Sequence, residues 1–311
     1  EVSGLVEWPV ALLGEVDAAF SDLPAEVLQA SMKEHQKFFS LKNPKTEKIE
    51  RFITVANIES ADNGATILEG NQKVLYARLS DAKFFWENDL RLIQKDGLDT
   101  WLEKLKNVTF HNKLGSQADK VLRISALTKK LVGPLACDGE AAVNGANICK
   151  SDLISEMVYE FPELQGVMGR YYAISSGYSD SVAKVCEEHY GPKGPNDPVP
   201  TALTSVAVAL ADKLDTLLGF WIIDEKPTSS KDPFALRRAA LGVIRIILEN
   251  DLELDLVELF NDHLEDLCEY GNRPDAVSEL MAFIRERFRI YLRDKNIRYD
   301  VVDACLEVGN A

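Results

Sequence analysis

Three acid–base groups stand in an order that suits divalent-metal chemistry. His111 lies in "TFHNKLGSQADK", Asp152 in "CKSDL" and Asp212 in "ALADKLDTL". One imidazole and two carboxylates are suitable donors for a divalent metal that activates water. The residue before Asp152 is Ser151, however, and a hydroxyl is a poor replacement for imidazole at a transition metal. The alternative is that Asp152 and Asp212 are buried or capping acids of a helical scaffold. The other histidines are His35, His189 and His263; His189 is expected at a helix C-terminus, where a cation suits the dipole, and His263 among surface acids. No H-E-x-x-H, Walker A loop, G-x-S-x-G or dinucleotide fingerprint occurs, so no catalytic residue and no metal ligand is assigned.

Cations form the second set. "SKDPFALRRAALGVIRIILEN" predicts a helix capped by Asp232 with Pro233 in its first turn, and Arg237 and Arg238 then lie where the dipole disfavours positive charge. One explanation pairs an arginine with Asp212, Asp215 or Asp224 while the other lays its stem over the core edge. The other explanation is a phosphate clamp: two planar guanidinium forks, with Lys231 as a nearby point charge. Lys113, Lys120 and Arg123 form a second candidate phosphate surface near a helix start, Lys120 and Arg123 sharing one face. In the run Arg285, Arg287, Arg289 and Arg293, position 287 points away from the other three. The pairs Phe38-Phe39 and Tyr171-Tyr172 and the triplet Phe84-Phe85-Trp86 offer faces for bases, or simply core.

Helices must position most of these groups. The first eighty residues are mixed, with helical spacing in "AEVLQASMKEHQKFF" and strand-like runs in "RFITVANIE" and "QKVLYARL". From Leu79 onward the pattern is helical, with no convincing strand. The expected helices are 79–94, 98–107, 115–133, 139–158, 180–189, 200–220, 233–249, 254–268, 274–294 and 299–308. "YGPKGPNDPVP" is a loop by composition. The expected class is mainly α: a small α/β segment over 1–78, part of a preceding domain, then an all-helical domain over 79–311.

Composition narrows the function. With 46% hydrophobic residues among 311, the chain can bury a core, and no uninterrupted run of eighteen apolar residues exists to span a membrane. The five cysteines, Cys137, Cys149, Cys186, Cys268 and Cys305, show neither zinc spacing nor a disulfide framework, which fits a reducing compartment. The net charge of −15 argues against indiscriminate polyanion binding. Residues 1–130 hold 18 basic and 19 acidic residues, while residues 131–311 hold 17 and 31, so any polyanion contact must be local. The start at Glu1, running at once into "GLVEWPVALL", predicts a piece of a longer chain.

Two resemblances follow from these strings. The order His111, Ser151-Asp152, Asp212 resembles the helical HD superfamily of metal-dependent phosphohydrolases with its His-Asp pair degenerate. "MKEHQKFF", "FITVANIES", "GNQKVLYARLSDAKFFWENDL", "KSDLISEMVYEFPELQGVMGRYYA", "ALADKLDTLLGF" and "KDPFALRRAALGVIRII" resemble, in order and over almost the whole chain, the β subunit of the bacterial-type heterotetrameric glycyl-tRNA synthetase. That resemblance implies the central part of a β subunit, with an HD-like domain that no longer hydrolyses anything. It implies tRNA(Gly) and the α subunit as partners, with neither DNA nor a membrane. The ATP and Mg of the complete enzyme are then bound by the α subunit, where glycine reacts, and none is expected here. The implied location is the bacterial cytoplasm, or a plastid. A metal-dependent HD-type phosphohydrolase is the alternative.

Overall fold

The computed structural model describes residues 2–308, without the side chains of His35, Tyr299 and 305–308, so Cys305 lies outside the described side chains. In chain order the strands are β1 (Val10–Glu15), β2 (Phe39–Lys42), β3 (Ile49–Ala56), β4 (Thr109–His111) and β5 (Gly115–Ser116). The helices of the first half are α1 (Ala25–Ala30), α2 (Ala65–Asp96), α3 (Leu98–Lys104), α4 (Gln117–Leu135), α5 (Gly139–Ile148) and α6 (Glu156–Glu160). The second half holds α7 (Val167–Ser175), α8 (Asp180–Glu188), α9 (Leu203–Ile222), α10 (Leu236–Glu249), α11 (Leu256–Leu267), α12 (Ala276–Asp294) and α13 (Tyr299–Val308). The class is mainly α. Two compact units share the chain: one runs through Gly97 and takes in Leu153–Met168, and the other holds Leu98–Asp152 and continues from Gly169. Position 78 lies within helix α2, inside the first of these units.

In the first unit β1, β3 and β2 form an antiparallel sheet in that order, with Val10 opposite Ala56 and Phe39 opposite Ile53. Phe52 on β3 is buried and stacks on Phe38, ring centroids 4.8 Å apart. Gly14 on β1 lies opposite Phe52, where an added Cβ would clash with three carbons of the phenyl ring. The 32-residue helix α2 corrects the strand expected over "QKVLYARL". Leu75, Leu79, Ala82, Asp89 and Ile93 are its buried positions, spaced three, four or seven apart, and this helical stripe prevails over the local β propensity. Asp89 accepts the backbone N–H groups of Glu156 and Met157 at 3.0 and 3.1 Å and so caps α6.

In the second unit α9 is the central element. From Thr204 to Ile222 every residue except Thr216 is buried, and α4, α5, α8, α10, α11 and α12 all pack on it. A helix buried all round must carry its polar residues into the interior, and each then needs a partner. The expected helix over 139–158 is broken into α5, a single 3-10 turn at Ser151–Ile154, and α6 capped by Ser155. The β4–β5 hairpin is a strand pair within the stretch expected to be wholly helical. Cys137, Cys149, Cys186 and Cys268 are free thiols. Among the described residues no helix is long and apolar enough to cross a membrane.

Candidate functional site

The imidazole and the two acids expected near one another are each engaged by separate partners. His111 is on β4 rather than on a helix, and its Nε2 lies 3.2 Å from Glu225 Oε2. Asp152 is buried in the turn after α5 and accepts the Gly169 N–H at 3.1 Å, near the start of α7. Ser151 is also buried, with no hydrogen-bond partner for its hydroxyl among the described residues. Asp212, buried on α9, is held by two lysines: Lys120 Nζ lies 3.0 Å from one carboxylate oxygen and Lys150 Nζ 3.0 Å from the other.

That pairing extends into an internal ion lattice. Asp215, one helical turn along α9, accepts from Arg123 Nε at 2.7 Å and lies 3.2 Å from Lys120 Nζ. His263 Nε2 is 3.0 Å from the same carboxylate, and its Nδ1 is 3.0 Å from Asp266. Lys120 also donates to Thr216 Oγ1 at 2.7 Å. Burial by itself would raise both α9 carboxyls, but the adjacent cations hold each below the usual carboxylate range. Lys213, on the same helix, donates to the Gly191 and His189 carbonyls at 2.7 and 3.2 Å, and burial draws its ammonium down to about 8. Burial, with the Lys150 charge second, keeps the His189 imidazole well below its usual pKa.

Several expectations are corrected here. Lys120 and Arg123 are buried and turned toward Asp212 and Asp215, so they present no charge to a phosphate outside. His263 is interior rather than superficial; His189 does cap the C-terminal end of α8, as expected, but it is buried and held well below its usual pKa, which disfavours the cation there. A signal for the lattice was present in the sequence. Lys120 and Arg123 stand three apart on one helix, Asp212 and Asp215 three apart on another, and complementary pairs at that spacing mark facing stripes.

The donors do not fit a metal of the HD type. Both oxygens of Asp212 face ammonium groups, which oppose a dication, while His111 and Asp152 are engaged elsewhere. Among the described residues no group of three or more His, Cys, Asp or Glu side chains is placed to hold a metal. Among the described residues each carboxylate of the lattice has a cationic or imidazole partner, and Asp212 and Asp215 are buried. Its role is to fix how α4, α9 and α11 pack.

The remaining cations are superficial. Lys113 is exposed and reaches Glu225 at 2.8 Å. Lys231 and Arg238 are exposed. Arg237 donates to the Thr228 carbonyl and lies 3.8 Å from Asp232, not beside Asp212, Asp215 or Asp224, whose charges are met by other residues. Asp232 does cap α10, accepting the Leu236 and Arg237 N–H groups at 2.8 and 3.0 Å, but the helix starts at Leu236, three residues beyond Pro233. Among the aromatic candidates Phe38 and Tyr172 are buried, Tyr172 against Trp101, while Phe39 and Phe84 are exposed.

Residues 1–307 match the family model described as "Glycyl-tRNA synthetase beta subunit". Similar proteins include the glycine–tRNA ligase beta subunit of Ruegeria sp. (strain TM1040), 62% identical over 307 residues that cover 98% of this chain and 44% of the relative. Those of Paracoccus denitrificans and Phenylobacterium zucineum are 57% and 48% identical, each over 100% of this chain and 44% of its own length. The chain thus spans under half the length of these relatives.

Proposed function

The chain belongs to the glycyl-tRNA synthetase beta subunit family, and from that premise we propose that it is the part of a beta subunit that binds tRNA(Gly) and helps assemble the complete ligase. The family match over residues 1–307 carries this reading. In it, ATP-dependent attachment of glycine takes place on an alpha subunit, which holds ATP and Mg, and the two kinds of subunit form a heterotetramer in the bacterial cytoplasm. This chain supplies surface and rigidity rather than reacting groups. The interior agrees with that division: Lys120 and Arg123 of α4 and Asp212 and Asp215 of α9 are paired with one another and with Lys150.

RNA contact in this reading falls to the exposed Lys113, Lys231 and Arg238 and the half-buried Arg237. Side chains do not enter the deep groove of A-form RNA, so the expected contacts go to backbone phosphates. The hydrolase alternative finds no support in the geometry, since the cation position beside Asp212 is already met by Lys120 and Lys150. The test is titration of the chain with tRNA at low salt against heparin as a plain polyanion, together with aminoacylation by the enzyme reconstituted with its alpha subunit. Preference for tRNA, with no aminoacylation until the alpha subunit is present, supports the reading. Equal affinity for heparin and tRNA removes the RNA-binding part. Phosphodiester hydrolysis by the chain alone, abolished by Asp212→Ala, overturns the whole.

A further inference from the structure

The surface between α10 and α12 concentrates positive charge in a chain of net charge −15. There a cleft of about 360 Å³ is lined by Arg237 and Arg238 from α10 and by Arg287 and Lys295 from α12 and its C-terminal end. Asp294 is the one carboxylate among its lining residues. Arg245 also reaches the cleft, but its guanidinium is committed to Glu249 at 2.8 Å and to the Gly194 and Asp197 carbonyls at 2.9 and 2.8 Å.

Three of these cations, Arg238, Arg287 and Lys295, have no side-chain hydrogen bond or ion pair among the described residues; the Arg287 guanidinium lies 5.6 Å from the Phe283 ring centroid, and its Nε is buried without an acceptor. A buried N–H with no partner is costly, and an anion in the cleft would accept from it and offset the mutual repulsion of the cations that line it. Guanidinium forks match phosphate oxygens in particular. Beside them stands an apolar wall formed by Ile290 and the Tyr291 ring, the ring having the Lys295 ammonium 5.6 Å from its centroid. A charged fork beside an aromatic wall suits a molecule with a phosphate at one end and a flat ring or sugar at the other.

We propose that this cleft binds a phosphorylated nucleotide, its phosphate between Arg238 and Arg287 and its sugar or base against Tyr291. The proposal rests on the RNA-binding reading only for the source of the nucleotide, a strand of RNA or a free mononucleotide. The spacing of Arg285, Arg289 and Arg293 sets Arg287 on another face of α12, and that face lines the cleft.

The experiment titrates the chain, by isothermal calorimetry and by anisotropy, with adenosine 5′-monophosphate, with adenosine as the uncharged control, and with tRNA. R238Q alters an exposed residue and leaves the core untouched; R287Q is paired with it, and circular dichroism confirms that both variants fold. Binding of the monophosphate but not of adenosine, weakened about tenfold or more by each variant, is the expected result, since one charge-assisted phosphate contact is lost each time. A parallel weakening of tRNA assigns the cleft to a strand of RNA. An unchanged tRNA affinity assigns it to a free nucleotide and takes this surface away from the RNA reading. Folded variants that bind the monophosphate as the wild type does, or a wild type that binds it no better than adenosine, overturn the proposal, and a tRNA preference over heparin would survive that failure.

Discussion

Asp215 accepts from Arg123 and His263 and lies within 3.2 Å of Lys120, all of them buried. Removing its charge strands Arg123 in the interior without a carboxylate and leaves Lys120 with Asp212 alone, which costs more than the pair contributes when intact. Asp215→Asn is therefore expected to lower unfolding stability by about 3–5 kcal/mol in urea denaturation. A loss under about 1 kcal/mol would mean that the lattice is wet and adds little. His189 gives the pH dependence. Its folded pKa lies well below the ordinary value, so between that ordinary value, about 6.5, and the folded one the unfolded chain binds a proton that the folded chain refuses. Stability is thus whole above about pH 6.5 and falls as pH drops, by up to about 1.4 kcal/mol per unit. In urea unfolding between about pH 5 and 7, His189→Gln is expected to flatten that slope relative to the wild type, and equal slopes would refute the assignment.

At the scale of elements, close approach decides more than propensity. Gly145 on α5 faces Val185 on α8, where an added Cβ would lie 2.8 Å from a valine methyl. Gly145→Ala is expected to cost about 1–3 kcal/mol by overpacking the α5–α8 contact, against a helix propensity that alone would favour alanine by nearly 1 kcal/mol. Thermal unfolding tells the two apart by sign. The elements hardest to recognise were those whose local composition misleads. "QKVLYARL" carries valine and tyrosine yet lies inside α2, because its buried stripe continues that of the rest of the helix. The break at Ser151–Ile154 falls where the chain passes from one compact unit to the other, a change of neighbours that no periodicity encodes. Helix α7 falls outside the expected helices; at Gly169 within it a Cβ would lie 2.9 Å from the Cys186 Cβ and 3.2 Å from an Asp152 oxygen.

For the whole molecule, the surplus of acid sets how RNA is met. A chain of net charge −15 repels a polyanion except where cations are gathered, so binding through the exposed lysines and arginines is expected to be steeply salt-dependent. Between about 50 and 200 mM salt, tRNA affinity is expected to fall, and each lost phosphate contact reduces the slope of log K against log salt by about one unit. Arg238→Gln should show that reduction, whereas Lys120→Met, which removes an interior charge, should alter stability and leave the slope unchanged. The reverse outcome would mean that the α4–α9 lattice opens to solvent when RNA binds.

The mainly helical class and the family are legible in the chain alone. The 3.6-residue period and long ordered motifs are properties of the chain alone. The sequence could not distinguish Lys120 and Arg123, which are interior, from Lys113 and Arg238, which are not. All four follow the same local rules, and a cation becomes structural only when a carboxylate from a distant segment is carried to it. Folding made that choice by burying α9 on nearly every side, so that Asp212 and Asp215 had to find their counter-charges inside.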